Sequence, residues 1–237
     1  MNNYKLQETS VWKFIDRGKW ATHNPYYRGN WSPHIPRNLI LKYTKENDVV
    51  ADLFLGGGTT LIETKILNRN GIGVDINIES IKLSKSLLNF YVENNSKQIL
   101  KNEDSRNTSI ESNTVDLICM HPPYANVIKY SNEIKGDLSL LPPKLFLKEW
   151  DKVAKESKRI LKKGKVCSFM IGDIRMNGCV YPLGFKSLEV FLNNGFSLKE
   201  IIIKEQYNCK LTSYWKNKSK QYGFYLLAHE YIFILFN

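Results

Sequence analysis

The sequence predicts an α/β fold, a seven-stranded and mostly parallel sheet with helices on both faces, and three observations lead to it. In Val49-Val50-Ala51-Asp52-Leu53-Phe54-Leu55-Gly56-Gly57-Gly58-Thr59-Thr60 an apolar run enters a glycine cluster and then threonines. That order reads as a strand buried on both faces, a tight turn and the start of a helix. Gly71-Ile72-Gly73-Val74-Asp75-Ile76 is a second apolar strand ending in an acid. Thr114-Val115-Asp116-Leu117-Ile118-Cys119-Met120 is a fourth, and it runs straight into His121-Pro122-Pro123-Tyr124.

At 237 residues with 43% hydrophobic content, the chain can bury one sizeable core, so a single domain over 1–237 is expected. No separate target-recognition domain is expected within it. The formal net charge of +11 points to a polyanionic partner, or to the lysine excess of an AT-rich genome. Cys119, Cys167, Cys179 and Cys209 show no paired short spacing, which argues against a zinc site or a disulfide framework and for reduced, mostly buried thiols. No apolar run approaches the ~18 residues of a membrane span, and the first residues form no signal peptide, so a cytoplasmic location is expected.

In chain order, residues 1–45 come first, an aromatic and basic segment followed by a helix, expected to pack on the cofactor side. Trp12, Arg17, Trp20, Tyr27, Arg28 and Trp31 alternate there without helical period. Such a segment suits a cover over the ligand site, a nucleic-acid surface, or an arm whose aromatics are core. Ser32 to Tyr43 reads as a helix entered through prolines. The helix after Thr59 or Thr60 runs to Asn70 and is broken by Gly71. Asp52 lies near the carboxyl end of the first strand, where open α/β sheets bind ligands, and Asp75 at the second strand end can accept from both hydroxyls of a ribose. Ile78 to Tyr91 has helical spacing, and Lys97 to Asn102 is a short third strand ending near Asp104, either a base-amine acceptor or a solvated turn acid.

Consecutive prolines remove donors and hold the backbone extended, which leaves carbonyls free at the end of the fourth strand, and Tyr124 offers a ring face to a flat base. A helix through Phe146, Trp150, Val153, Ala154, Ile160 and Leu161, stopped by Gly164, leads to a fifth strand at Val166–Asp173. A helix at about Leu183 to Asn194 precedes two last strands, Ser197 to Glu205 and Leu226 to Phe236, expected as an antiparallel edge pair. Between these strands Tyr207 to Tyr222 mixes basic and aromatic residues without a core period, as in a DNA-contacting or a merely solvated loop.

Phe54-Leu55-Gly56-Gly57-Gly58-Thr59-Thr60 resembles the S-adenosylmethionine loop of amino-directed DNA methyltransferases, whose usual form is Phe-x-Gly-x-Gly-Thr-Thr, and His121-Pro122-Pro123-Tyr124 resembles their (Asp/Asn/Ser)-Pro-Pro-(Tyr/Phe) motif. The resemblance extends from Arg28-Gly29-Asn30-Trp31-Ser32-Pro33 to the final strand. It implies a Rossmann-like class I methyltransferase fold and S-adenosyl-L-methionine as cofactor, held by Asp52, Phe54, Gly56, Gly58, Thr59, Thr60, Asp75 and Asp104. It further implies methyl transfer to the exocyclic amine of a flipped base, adenine N6 before cytosine N4, with His121, Pro122, Pro123 and Tyr124 as the catalytic set and no metal. DNA is the implied partner, with a specificity or restriction partner protein beside it. RNA as substrate, and a binding subunit without catalysis, are the alternatives. His121 departs from the motif: to replace the usual first residue it must accept a hydrogen bond from the amine, which only the neutral ring can do. With an ordinary histidine pKa of about 6.5, activity would fall on acidification through that value.

Overall fold

The structure, a computed structural model, describes residues 4–206 and 212–237. Its main sheet has the order β1-β9-β10-β6-β5-β2-β3-β4. The strands are β1 Val11–Trp12, β2 Val49–Asp52, β3 Asn70–Val74, β4 Gln98–Lys101, β5 Val115–Met120, β6 Leu161–Ile171, β9 Ser197–Glu205 and β10 His229–Phe236. From β6 to β4 all neighbours are parallel, whereas β10 runs antiparallel to both β6 and β9. The expected seven strands are therefore eight. The extra one is Val11–Trp12, which pairs in parallel with Ile203–Lys204 and covers what would otherwise be the open edge of β9.

After β2 the chain steps to β3 and β4 on one side, then returns to β5 and β6 on the other. The β2/β5 boundary is therefore a topological switch point, where open α/β sheets leave a crevice. β5 is buried along its whole length, as the unbroken apolar run requires. Alternate residues feed two cores. Ala51, Ile118, Met120 and Phe169 face α4 (Pro143–Ile160) and α5 (Leu183–Asn193), while Val50, Leu117, Cys119 and Met170 face α1 (His34–Tyr43) and the N-terminal tryptophans. In α4, Phe146, Trp150, Val153 and Ile160 are buried at helical spacing, and Trp150 packs its ring on Phe146 and Phe191.

Four local differences from the sequence expectation have physical causes. α4 ends at Ile160 and β6 begins at once, because residues 162–165 bulge out of the pairing with β5 around Gly164. The helix α3 spans Ile78–Leu87 and stops short of Tyr91, whose ring is exposed, so the last apolar residues of that run belong to a loop. Ile174–Met176 (β7) and Cys179–Tyr181 (β8) form a hairpin turned at Asn177-Gly178, which leaves Cys179 exposed rather than buried; Cys119 and Cys167 are buried. Part of the basic-aromatic segment is a helix, α6 Thr212–Tyr222; Cys209 and Lys210 lie outside the described residues. Among the described residues no helix is long and apolar enough to cross a membrane and no metal-ligating cluster occurs.

Candidate active site

Two cavities open at the carboxyl ends of β2, β3 and β5. The first is built on the glycine loop between β2 and α2 (Thr59–Ile66). Gly58 takes a left-handed conformation, φ 77°, which turns the chain into α2. The Asp75 carboxylate, at the end of β3, accepts from the Gly56 N–H at 2.8 Å and from Asn77 N–H at 2.8 Å. It is thereby fixed to the loop. Asp52 is 2% exposed and accepts from the Thr60 hydroxyl and the Phe54 N–H. Burial pushes its pKa up to about 7, with those two donors opposing the rise. Burial likewise raises Asp75 above the ordinary carboxylate range, against the pull of its backbone donors.

Asp104 lines the same cavity, near Ile76 and Gly136. Burial works against its charged form, but the Arg106 guanidinium and N–H more than offset this and its pKa is lowered. Much of its accepting capacity is therefore used within the protein. Phe54, Gly56 and Gly57 reach the cavity wall. Gly58, Thr59 and Thr60 do not: they hold the loop from behind, Thr59 through Asn30 and Thr60 through Asp52.

The N-terminal segment supplies the opposite wall. Tyr27 bonds Ser80 and lies against the glycine loop, and its ring stacks on Tyr130 of the loop after Tyr124, with 6.3 Å between centroids. A Cβ on Gly29 would lie 1.8 Å from the Tyr130 hydroxyl, so this glycine is required by close approach. With those rings in contact the cavity is narrow, about 80 Å³.

The second cavity, about 410 Å³, lies on the other side of the His121–Tyr124 segment. Pro123 faces the first cavity, Pro122 and Tyr124 the second, and His121 both. The His121 ring stacks on Trp31 at 5.5 Å, and its Nε2 is 3.0 Å from the Tyr124 hydroxyl, which itself donates to Glu230 Oε1 at 2.7 Å. Burial pulls the His121 pKa down to about 4; Glu230 and a backbone hydrogen bond with Gly29 oppose this, while Lys204 and Arg17 reinforce it. The ring is neutral well below pH 6.5, so the acid limb expected near that value moves to about 4. Moreover Nε2 is already engaged. The free acceptor anticipated for the target amine is not what this geometry presents. The Tyr124 phenol is raised well above its ordinary pKa by burial and by Glu230.

Sequence reasoning placed Tyr27 only within a segment suited to cover the ligand site, without its stacking partner Tyr130, and missed Lys204 and Glu230. Glu230 left one legible signal, an acid one residue into the otherwise apolar final strand.

The fold is one shared with solved S-adenosylmethionine-dependent methyltransferases. Its solved neighbours include a methyltransferase from Methanosarcina mazei, with a TM-score of 0.60 and 16% identity over 84% of this chain and 96% of that one. Residues 2–86 match the family model described as DNA methylase, of the N6/N4 class. It is 36% identical over 96 residues to the type II methyltransferase M.HpaI of Haemophilus parainfluenzae, which is 37% of this chain and 28% of that protein. Against the type II methyltransferase M2.LlaDCHI of Lactococcus lactis subsp. cremoris it is 41% identical over 71 residues, 30% of this chain and 25% of the relative. These matches span about a quarter of the relatives' own length.

Proposed function

We propose that this chain is an S-adenosylmethionine-dependent DNA methyltransferase of the cytoplasm, acting on the exocyclic amine of a flipped base, adenine N6 before cytosine N4. One observation carries the reading: the acid-lined cavity on the glycine loop and the Pro-Pro-Tyr cavity share the wall His121–Pro123 at a topological switch point. The residues of the first cavity fit the cofactor. Asp75 stands where a ribose needs an acceptor, the buried acid Asp52 suits a cationic group, and Ile76 and Asp104 suit an adenine ring and its amine. When bound, S-adenosylmethionine supplies an electrophilic methyl.

The chain's own contribution is orientation and electrostatics. An aromatic amine is a poor nucleophile because its lone pair is delocalised into the ring. The Pro122 carbonyl, accepting an amine hydrogen, would hold the nitrogen nearer to tetrahedral, and Tyr124 would press on the base face. Extracting a base from the stack also calls for cationic surface. α6 carries Lys216, Lys218 and Lys220 beside Tyr214, Trp215 and Tyr222 and has no described residue in the core, which suits contact with a DNA strand, alone or together with a specificity or restriction partner.

Incubating the protein with labelled cofactor and DNA, then identifying the methylated nucleoside by mass spectrometry, tests activity and base together. Label in N6-methyladenine is the expected result, and N4-methylcytosine would replace the base. Because Nε2 of His121 is engaged, a second reading is a DNA-binding subunit without catalysis; cofactor and DNA binding with no transfer would decide for it.

A further inference from the structure

The second cavity holds an ion pair that neither the fold nor the methyl transfer described above uses. Lys204 and Glu230 face each other across β9 and β10, with Nζ 2.8 Å from Oε2 and side chains 19% and 11% exposed. Burying two charges costs desolvation that an apolar pair would avoid, so a sheet gains little from them. The next residues inward, Ile202 and Ile232, are apolar and buried. What distinguishes Glu230 is the destination of its other oxygen: Oε1 accepts the Tyr124 hydroxyl proton at 2.7 Å.

A phenol has one proton. With that proton directed at Glu230, Tyr124 offers His121 only lone pairs, and the 3.0 Å contact is a hydrogen bond only if His121 Nε2 carries a hydrogen. The donors then run in one direction, His121 to Tyr124 to Glu230, with Lys204 donating to Glu230 from the far side. The other charged groups lining this cavity are Arg17 on the N-terminal segment and Glu205 next to Lys204, the latter paired with Lys13; Tyr130 lies on the loop opposite. Among the described contacts none of these hydrogen-bonds the Tyr124 hydroxyl; the backbone hydrogen bond with Gly29 competes for the ring hydrogen of His121, and Glu230 is the side chain that sets the sense of the chain against it.

We propose that Glu230, anchored by Lys204, is a positioning residue of the target cavity: it fixes the direction of the Tyr124–His121 hydrogen-bond chain and so holds both rings of the motif in place. It acts through Tyr124 and touches no substrate. Its catalytic consequence rests on the methyl-transfer reading; its effect on His121 does not.

Glu230→Gln tests this. Lys204 takes the amide carbonyl, the amide NH2 turns to Tyr124, the phenolic proton swings to His121, and the ring proton moves from Nε2 to the other nitrogen. Nitrogen NMR of the histidines in the full chain at neutral pH reads this directly. The His121 tautomer is expected to change in Glu230→Gln, and Glu230→Asp to keep the wild-type form. Single-turnover methyl transfer is expected to fall about tenfold or more in Glu230→Gln through lost positioning, with DNA affinity within about twofold. Wild-type His121 signals in folded Glu230→Gln would overturn the proposal, as would a loss of DNA affinity equal to the loss of rate. Should that variant fail to fold, Lys204→Met leaves Glu230 to take up a proton and donate to Tyr124, reversing the same chain; unchanged His121 signals there would also overturn it. A wild type that transfers no methyl group removes the functional reading and leaves the tautomer result standing.

Discussion

Asp52 and Asp75 end neighbouring strands, yet their surroundings give them different tasks. Asp75 is tied by backbone donors to the loop it serves, so Asp75→Ala is expected to weaken cofactor binding by about 1–3 kcal/mol, the scale of charge-assisted hydrogen bonds; calorimetry on the folded variant showing unchanged affinity would remove it from the site. Asp52 has a pKa of about 7, raised by burial. A raised acid binds its proton more tightly folded than unfolded, so its contribution to stability is present below about pH 4 and is lost as pH rises through 7. A cationic ligand beside it favours the ionised form. S-adenosylmethionine affinity is therefore expected to rise from pH 6 to 8, more steeply than that of the uncharged-sulfur product S-adenosylhomocysteine, and Asp52→Asn to flatten the difference. His121 runs the other way. Its lowered pKa means the unfolded chain takes up a proton that the folded one refuses, so stability falls as pH drops from about 6.5 to 4, whereas methyl-transfer rates between pH 5.5 and 8 are expected to show no limb from this group. A rate profile bending near 6.5 and abolished by His121→Asn would contradict the burial described here.

Among the elements, two carry consequences of their own. The Tyr27–Tyr130 stack joins the N-terminal segment to the loop after Tyr124 across a narrow cavity, so a nucleoside-sized guest requires the rings to part. Tyr130→Ala should speed cofactor association in stopped-flow, and an unchanged rate would place the entry path elsewhere. The α6 helix has no described residue in the core and carries exposed aromatics, and replacing Lys216, Lys218 and Lys220 together should lower the salt dependence of DNA binding; an unaltered slope would make it a bystander. The elements that sequence revealed are those with strong local signals: the glycine loop after β2, the acid ending β3 and the prolines ending β5 each needed only neighbouring residues to be read. What stayed hidden depends on distant partners. Tyr27 and Tyr130 are ordinary loop tyrosines until the fold stacks them, and Glu63 resembles any helix-surface acid although it is fully buried. The β7–β8 hairpin was lost because its three-residue strands are too short to show alternation.

On the scale of the whole molecule, Glu63 of α2 joins the N-terminal segment to the sheet. Its carboxylate accepts from Arg37 at 2.6 Å, Trp20 at 2.6 Å and His23 at 2.7 Å, and the Arg37 guanidinium also lies over the Trp20 ring. Removing one partner of a buried pair strands the other, so Glu63→Ala should cost about 3–5 kcal/mol in urea unfolding. A loss under about 1 kcal/mol, the scale of an exposed pair, would show the cluster to be solvated in solution. The segment held this way ends in Gly29-Asn30-Trp31, and these three residues, with His121 and Tyr130, line both cavities. A guest in one cavity therefore touches the residues that shape the other, and the two binding equilibria share a free energy. The factor by which saturating cofactor changes the DNA dissociation constant must equal the factor by which DNA changes that of the cofactor, and the shared wall leads us to expect a factor other than one.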